Sequence, residues 1–123
     1  GAIDTLFEKT TPADVAELRA INDAMQAEPS IERASLRDFS FHARLVGILG
    51  NRQIDDIYRI MKPVMLKIME NGINRRKFGA TNSGEHAGII DALEARNRFA
   101  YQYRVASHLE AGLALFKEAD EIT

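Results

Sequence analysis

Residues 35–42 read Ser35-Leu36-Arg37-Asp38-Phe39-Ser40-Phe41-His42, and the rest of the chain is organised around this stretch. It sets a carboxylate and an imidazole four residues apart inside a segment, Ser35 to Leu49, that reads as a helix. Side chains at i and i+4 share a helical face, with Cβ atoms about 6 Å apart, so Asp38 and His42 can reach one point. Ser35 and Asp38 have the spacing of a capping box, with Asp in place of the usual Glu. Leu36, Phe39, Val46 and Leu49 carry the apolar face, and Gly50-Asn51 is a good stop signal.

Working outward, helical signals cover nearly the whole chain. Ile3 to Lys9 reads as the tail of a helix. Thr10-Thr11-Pro12 is a start signal, Thr N-cap then Pro at the first helical position, for a helix reaching Ala27. Glu28-Pro29-Ser30 breaks it. Arg52 to Asn71 is the longest periodic segment: Ile54, Ile57, Tyr58, Met61, Val64, Met65 and Ile68 form one stripe. Pro63 lies inside it and predicts a bend about one turn upstream, and Gly72 closes it. Arg75 to Thr81 reads as a loop, Asn82 or Ser83 as the cap of a helix to about Glu94, and Asn97 as the cap of a last helix, Arg98 to about Ala119. Strand-like alternation and internal repeats are absent. The expected fold is all-α, a single domain over residues 1–123 built as an antiparallel bundle of about six helices around a central metal or ligand site.

Composition narrows the function. A 123-residue chain that is 46% apolar and 28% charged can bury a core without staples. A net charge of −2 argues against nucleic-acid binding by this chain, which would need a basic face. With no cysteine there is neither a disulfide framework nor a thiolate zinc site. No apolar run approaches membrane-spanning length, so a cytoplasmic protein with no membrane partner is expected. The chain opens Gly-Ala rather than Met and reads as a piece of a longer protein.

Besides His42, the chain has two histidines, His86 and His108, 22 positions apart in separate helical segments. One histidine on a half-apolar helix face is ordinarily a satisfied polar residue. Three, with a carboxylate one turn before the first, suggest one metal site drawn from three helices. Neutral imidazole and carboxylate are the ligands that borderline first-row cations favour. The spacing does not match HExxH, and three separate core histidines remain the competing reading.

Taken in order, Asp38-x-x-Phe41-His42, Gly50-Asn51, Glu85-His86 with Ile89-Ile90 and Ala92, and Ser107-His108-Leu109 resemble the FCD domain. This is the C-terminal effector-binding domain of the FadR subfamily of GntR transcriptional regulators, and the resemblance runs from about Thr11 to Leu115. It implies an all-helical domain that follows a winged helix-turn-helix lying outside this chain. It implies a homodimer that meets operator DNA only through that missing part. It also implies a divalent metal, zinc foremost and nickel, manganese or iron as alternatives, held by Asp38, His42, His86 and His108. The effector it implies is a small carboxylate beside the ion, drawn from organic and sugar acids.

In the last helix Tyr101, Arg104, His108 and Gly112 fall on one stripe. Arg104 has the planar fork suited to a carboxylate, Tyr101 could add a hydroxyl donor, and Tyr58 could contribute from the Pro63 helix. A surface Arg paired with an acid is the plainer alternative for Arg104. Two other functions share the ligand set. A metal-dependent hydrolase would need a general base, and Glu85, about 100° round the helix from His86, is poorly placed for it; no enzyme is expected. A purely structural metal would give a closed shell that ignores organic acids.

Overall fold

The computed structural model of the protein describes residues 1–75 and 80–108, with side chains for residues 1–71 and 83–108. Seven helices appear among the described residues, and no strand: α1 Ala2–Lys9, α2 Pro12–Ala27, α3 Ile31–Leu49, α4 Arg52–Ile60, α5 Lys62–Arg75, α6 Ala80–Glu94, and α7 over 98–108. The fold class is as the periodicity predicts. The expected extension of the last helix to Ala119 lies outside the described residues.

Local chemistry explains most boundaries. Thr11 caps α2: its hydroxyl accepts the Asp14 N–H at 3.2 Å while the Asp14 carboxylate accepts the Thr11 N–H at 2.9 Å, a reciprocal capping box. Helix α3 starts a turn earlier than expected. Ser30, freed by the Pro29 break, is its N-cap and accepts from the Arg33 N–H at 3.1 Å. Ser35 is therefore no cap. It lies fully buried inside the helix, and its hydroxyl donates to the Ile31 carbonyl at 2.9 Å. Gly50 ends α3 at φ 72°, the left-handed conformation that glycine tolerates best.

The Arg52–Asn71 segment bends as predicted, sharply enough to divide into two abutting helices. Pro63 has no N–H to donate to the Arg59 carbonyl, and the chain turns at Met61 between α4 and α5. Helix α5 runs through Gly72 to Arg75, and α6 begins at Ala80, so Gly72 is not a stop and Asn82 and Ser83 are not caps. The α6–α7 corner is a Schellman turn. The Asn97 N–H reaches the Ala92 carbonyl at 3.0 Å, and Arg96 sits at φ 54°. The Arg96 guanidinium donates to the Phe7 carbonyl at 2.7 Å and lies over the Phe7 ring, contacts that offset the strained backbone. Asn97 does cap α7, accepting from the Ala100 N–H at 3.1 Å.

Helix α3 is the axis of the bundle. It packs on α2 and α5 most extensively, then on α1 and α4, while α2 also covers α6. The core joins Leu6 and Phe7 of α1, Val15 and Leu18 of α2, Phe41 of α3, Ile89, Ile90 and Leu93 of α6, and Tyr101 of α7. Burying such side chains contributes roughly 1.5–3 kcal/mol each. Helix α4 differs: none of its side chains is fully buried, and Ile57 and Ile60 face solvent. Among the described residues no helix is long and apolar enough to cross a membrane.

Candidate metal centre

Where α3, α6 and α7 approach, the bundle interior turns polar. Asp38 and His42 project from one face of α3, as the i, i+4 spacing requires. His42 Nε2 and His86 Nε2 each lie 3.2 Å from the same Asp38 oxygen, Oδ1. His108 Nε2 lies 3.2 Å from His42 Nε2. One ligand atom from each of the three histidines falls within 4.8 Å of the others. Donors bound at about 2.0–2.2 Å to one first-row ion are themselves roughly 3.0–3.5 Å apart, so three His with Asp38 could hold a metal ion.

Packing fixes the ring planes. His86 is fully buried and stacks on Phe41 with centroids 3.9 Å apart and planes 5° from parallel. His42 and His108 lie nearly parallel at 5.1 Å, and His86 stands edge-on to both.

The outer nitrogens are held as well. His108 Nδ1 lies 2.8 Å from Glu85 Oε2. A carboxylate only accepts, so the proton is on Nδ1 and the His108 Nε2 lone pair faces the cluster. Glu85 does leave the His86 face of α6, as its position predicts. Its carboxylate instead meets the antiparallel α7, where it orients the His108 ring; the sequence reading missed this contact. His86 Nδ1 lies 3.2 Å from Asn22 Oδ1 of α2, and Asn22 Nδ2 donates to the Ser83 carbonyl at 2.9 Å. Asn22 was also missed. The available signal was its place in the α2 stripe Val15, Leu18, Asn22, Met25, where an apolar residue is the norm.

Electrostatics follow from this crowding. Burial alone would push the Asp38 carboxyl up, but His42 and His86 together outweigh it and hold Asp38 far below the usual carboxylate range. Burial lowers His86 to about 4, helped by the neighbouring His42 and His108 and opposed by Asp38. His108 is lowered too, first by burial and then by His42. Burial therefore favours neutral imidazoles at His86 and His108, beside an ionised Asp38, the protonation state that ligation needs.

The three residues read as effector contacts part company. Tyr58 stays with the site: its ring stacks on Phe39 at 4.8 Å, and its buried hydroxyl has no hydrogen-bond partner among the described residues. Burial first, and then the Asp38 charge, push that phenol up, so it remains a donor. Arg104 is exposed and lies across Gly88 of α6, where a Cβ would come within 3.0 Å of Arg104 Cδ. Tyr101 turns elsewhere. Its ring is fully buried against Phe7 at 5.3 Å, and its hydroxyl donates to the Ile3 carbonyl at 2.7 Å. The stripe shared with His108 is real, but its two ends meet different neighbours, and Tyr101 is the anchor of α1.

An all-helical bundle with a buried histidine–carboxylate cluster able to take a cation is thus the class that fold and site define. The FCD-domain family profile matches residues 1–111. The chain belongs to the FCD-domain family, the effector-binding domains of transcription regulators. No curated protein and no solved structure matches it.

Proposed function

We propose that this chain is the sensor domain of a GntR-type, FadR-subfamily regulator, binding a small carboxylate beside a divalent metal. Asp38, His42, His86 and His108 hold the ion, with zinc the first choice and nickel, manganese or iron as alternatives. The observation that carries the reading is His86 Nε2: fully buried, without a hydrogen-bond partner among the described residues, and 3.2 Å from a carboxylate oxygen. With its proton on Nδ1, that nitrogen is a lone pair facing an acceptor, an arrangement a cation resolves.

A bound cation would supply positive charge for an acidic ligand at the meeting point of three helices. Arg104 would add a guanidinium at the rim, and the Tyr58 hydroxyl would donate to a ligand oxygen near Asp38. Glu85 is engaged with His108 and so does not act as a free base, which supports a sensor over a hydrolase. We place the domain, residues 1–123, in a cytoplasmic homodimer whose winged helix-turn-helix portions meet operator DNA. The effector regulates only if it binds two dimer arrangements unequally.

The test is elemental analysis of protein purified without chelator or nickel resin, followed by thermal-shift screening of organic acids. About one equivalent of metal per chain, lost in His108→Ala together with melting temperature, is the expected result. Unchanged metal content and melting in that variant would refute the ligand set.

A further inference from the structure

We infer that Asn22 is a tautomer lock: it keeps the His86 proton on Nδ1 and so leaves the Nε2 lone pair open to a cation. The inference rests on the metal reading for its purpose, but its evidence is separate.

His86 stands between two acceptors. Asn22 Oδ1 lies 3.2 Å from Nδ1, and Asp38 Oδ1 lies 3.2 Å from Nε2. A neutral imidazole has one proton to give. Left to itself the ring would give it to the carboxylate, because a hydrogen bond to an ionised acceptor is roughly twice as strong as one to a neutral amide. That choice would cap Nε2 and close the site.

Asn22 opposes it through its own orientation. Its Nδ2 donates to the Ser83 carbonyl at 2.9 Å, so Oδ1 must face the ring. Rotating the amide would set Oδ1 against the Ser83 carbonyl and the amide hydrogens against Nδ1–H. Placing the proton on Nε2 instead would set two acceptors, Oδ1 and a bare Nδ1, against each other inside the core. Asn22 is 5% exposed, His86 is fully buried, and water cannot relieve either clash at low cost. The lock thus reads Ser83 carbonyl, Asn22 amide, His86 Nδ1–H, and spans α2 to α6. His108 has a carboxylate, Glu85, in the same position. A neutral amide behind His86 performs that orienting task without adding a second buried negative charge close to Asp38.

Nitrogen-15 imidazole shifts of the metal-free protein, combined with zinc titration, test this. Expected are an Nδ1-protonated His86 in the wild type and a proton on Nε2 in Asn22→Leu. Zinc affinity should fall roughly 10–100-fold in that variant. Asn22→Asp keeps an acceptor at Nδ1 and should keep the wild-type tautomer. An Nε2-protonated His86 in the wild type would overturn the lock without any variant having to fold. So would an unchanged tautomer in Asn22→Leu. A wild type that takes up none of zinc, nickel, manganese or iron yet keeps its proton on Nδ1 would remove the metal reading and leave the lock supported.

Discussion

Replacing Tyr101 by Phe separates the two roles that the α7 stripe could serve. The substitution keeps the buried ring and its contact with Phe7 at 5.3 Å, and removes one hydrogen bond, hydroxyl to Ile3 carbonyl at 2.7 Å. The phenol, pushed up to about 12 by burial and by Asp4, is a neutral donor throughout the accessible pH range. One such bond contributes about 1 kcal/mol net, which for a chain of this size lowers the melting temperature by roughly 3–5 °C. Tyr101→Ala also removes the ring from the core and should cost about 3–5 kcal/mol. The assay is urea denaturation followed by far-ultraviolet circular dichroism, with amide exchange across α1 as the local readout. In Tyr101→Phe the α1 amides should exchange faster, while zinc and carboxylate affinities stay at wild-type values. A variant with wild-type stability and weakened carboxylate binding would put this hydroxyl at the site and refute the reasoning.

Acid should weaken the chelator-treated protein in a defined window. His86 is lowered to about 4 from an ordinary 6.5, so between those values the unfolded chain binds more protons than the folded one. Stability is then full above about pH 6.5 and falls as pH drops toward 4; lowered His108 adds in the same direction, and Asp38 extends the loss to stronger acid. A urea midpoint that stays flat from neutral pH to about pH 4 would contradict this. For Gly88→Ala, the new Cβ would meet Arg104 Cδ at 3.0 Å and Nε at 3.1 Å, atoms that can swing aside. Helix propensity gains up to ~1 kcal/mol, so melting should be unchanged or higher, while carboxylate affinity drops by about tenfold as Arg104 is displaced. Unchanged affinity, measured by calorimetry, would return Arg104 to the surface.

The histidine–carboxylate cluster was legible because its signals are local or few: one i, i+4 pair on α3, and two remaining histidines with helical surroundings. Tyr101 shows where periodicity stops. Spacing places it on the His108 face, but cannot say that α1 covers one end of that face and α3 with α6 the other. Asn22 and Glu85 were hidden for a related reason. Their partners lie 64 and 23 residues away, and side-chain hydrogen bonds across helices leave no periodic trace. The start of α3 was misread from an apparent capping box at Ser35, although Ser30 after Pro29 offered the true cap. At Pro63 the predicted bend falls at Met61, where helical structure is interrupted for a single residue although the Met61 N–H still reaches the Ile57 carbonyl at 3.0 Å.

Helix α4 hangs on the bundle loosely, cut from α5 at Met61 and with no fully buried side chain of its own. Elements of that kind open first, by local melting well below the global unfolding free energy. Yet α4 carries Tyr58, whose buried hydroxyl, near Asp38, has no acceptor among the described residues. Any molecule that offers that hydroxyl an oxygen binds only the docked helix, and by mass action makes the open form rarer. A loosely held helix is therefore one whose melting is tied directly to what occupies the bundle's interior.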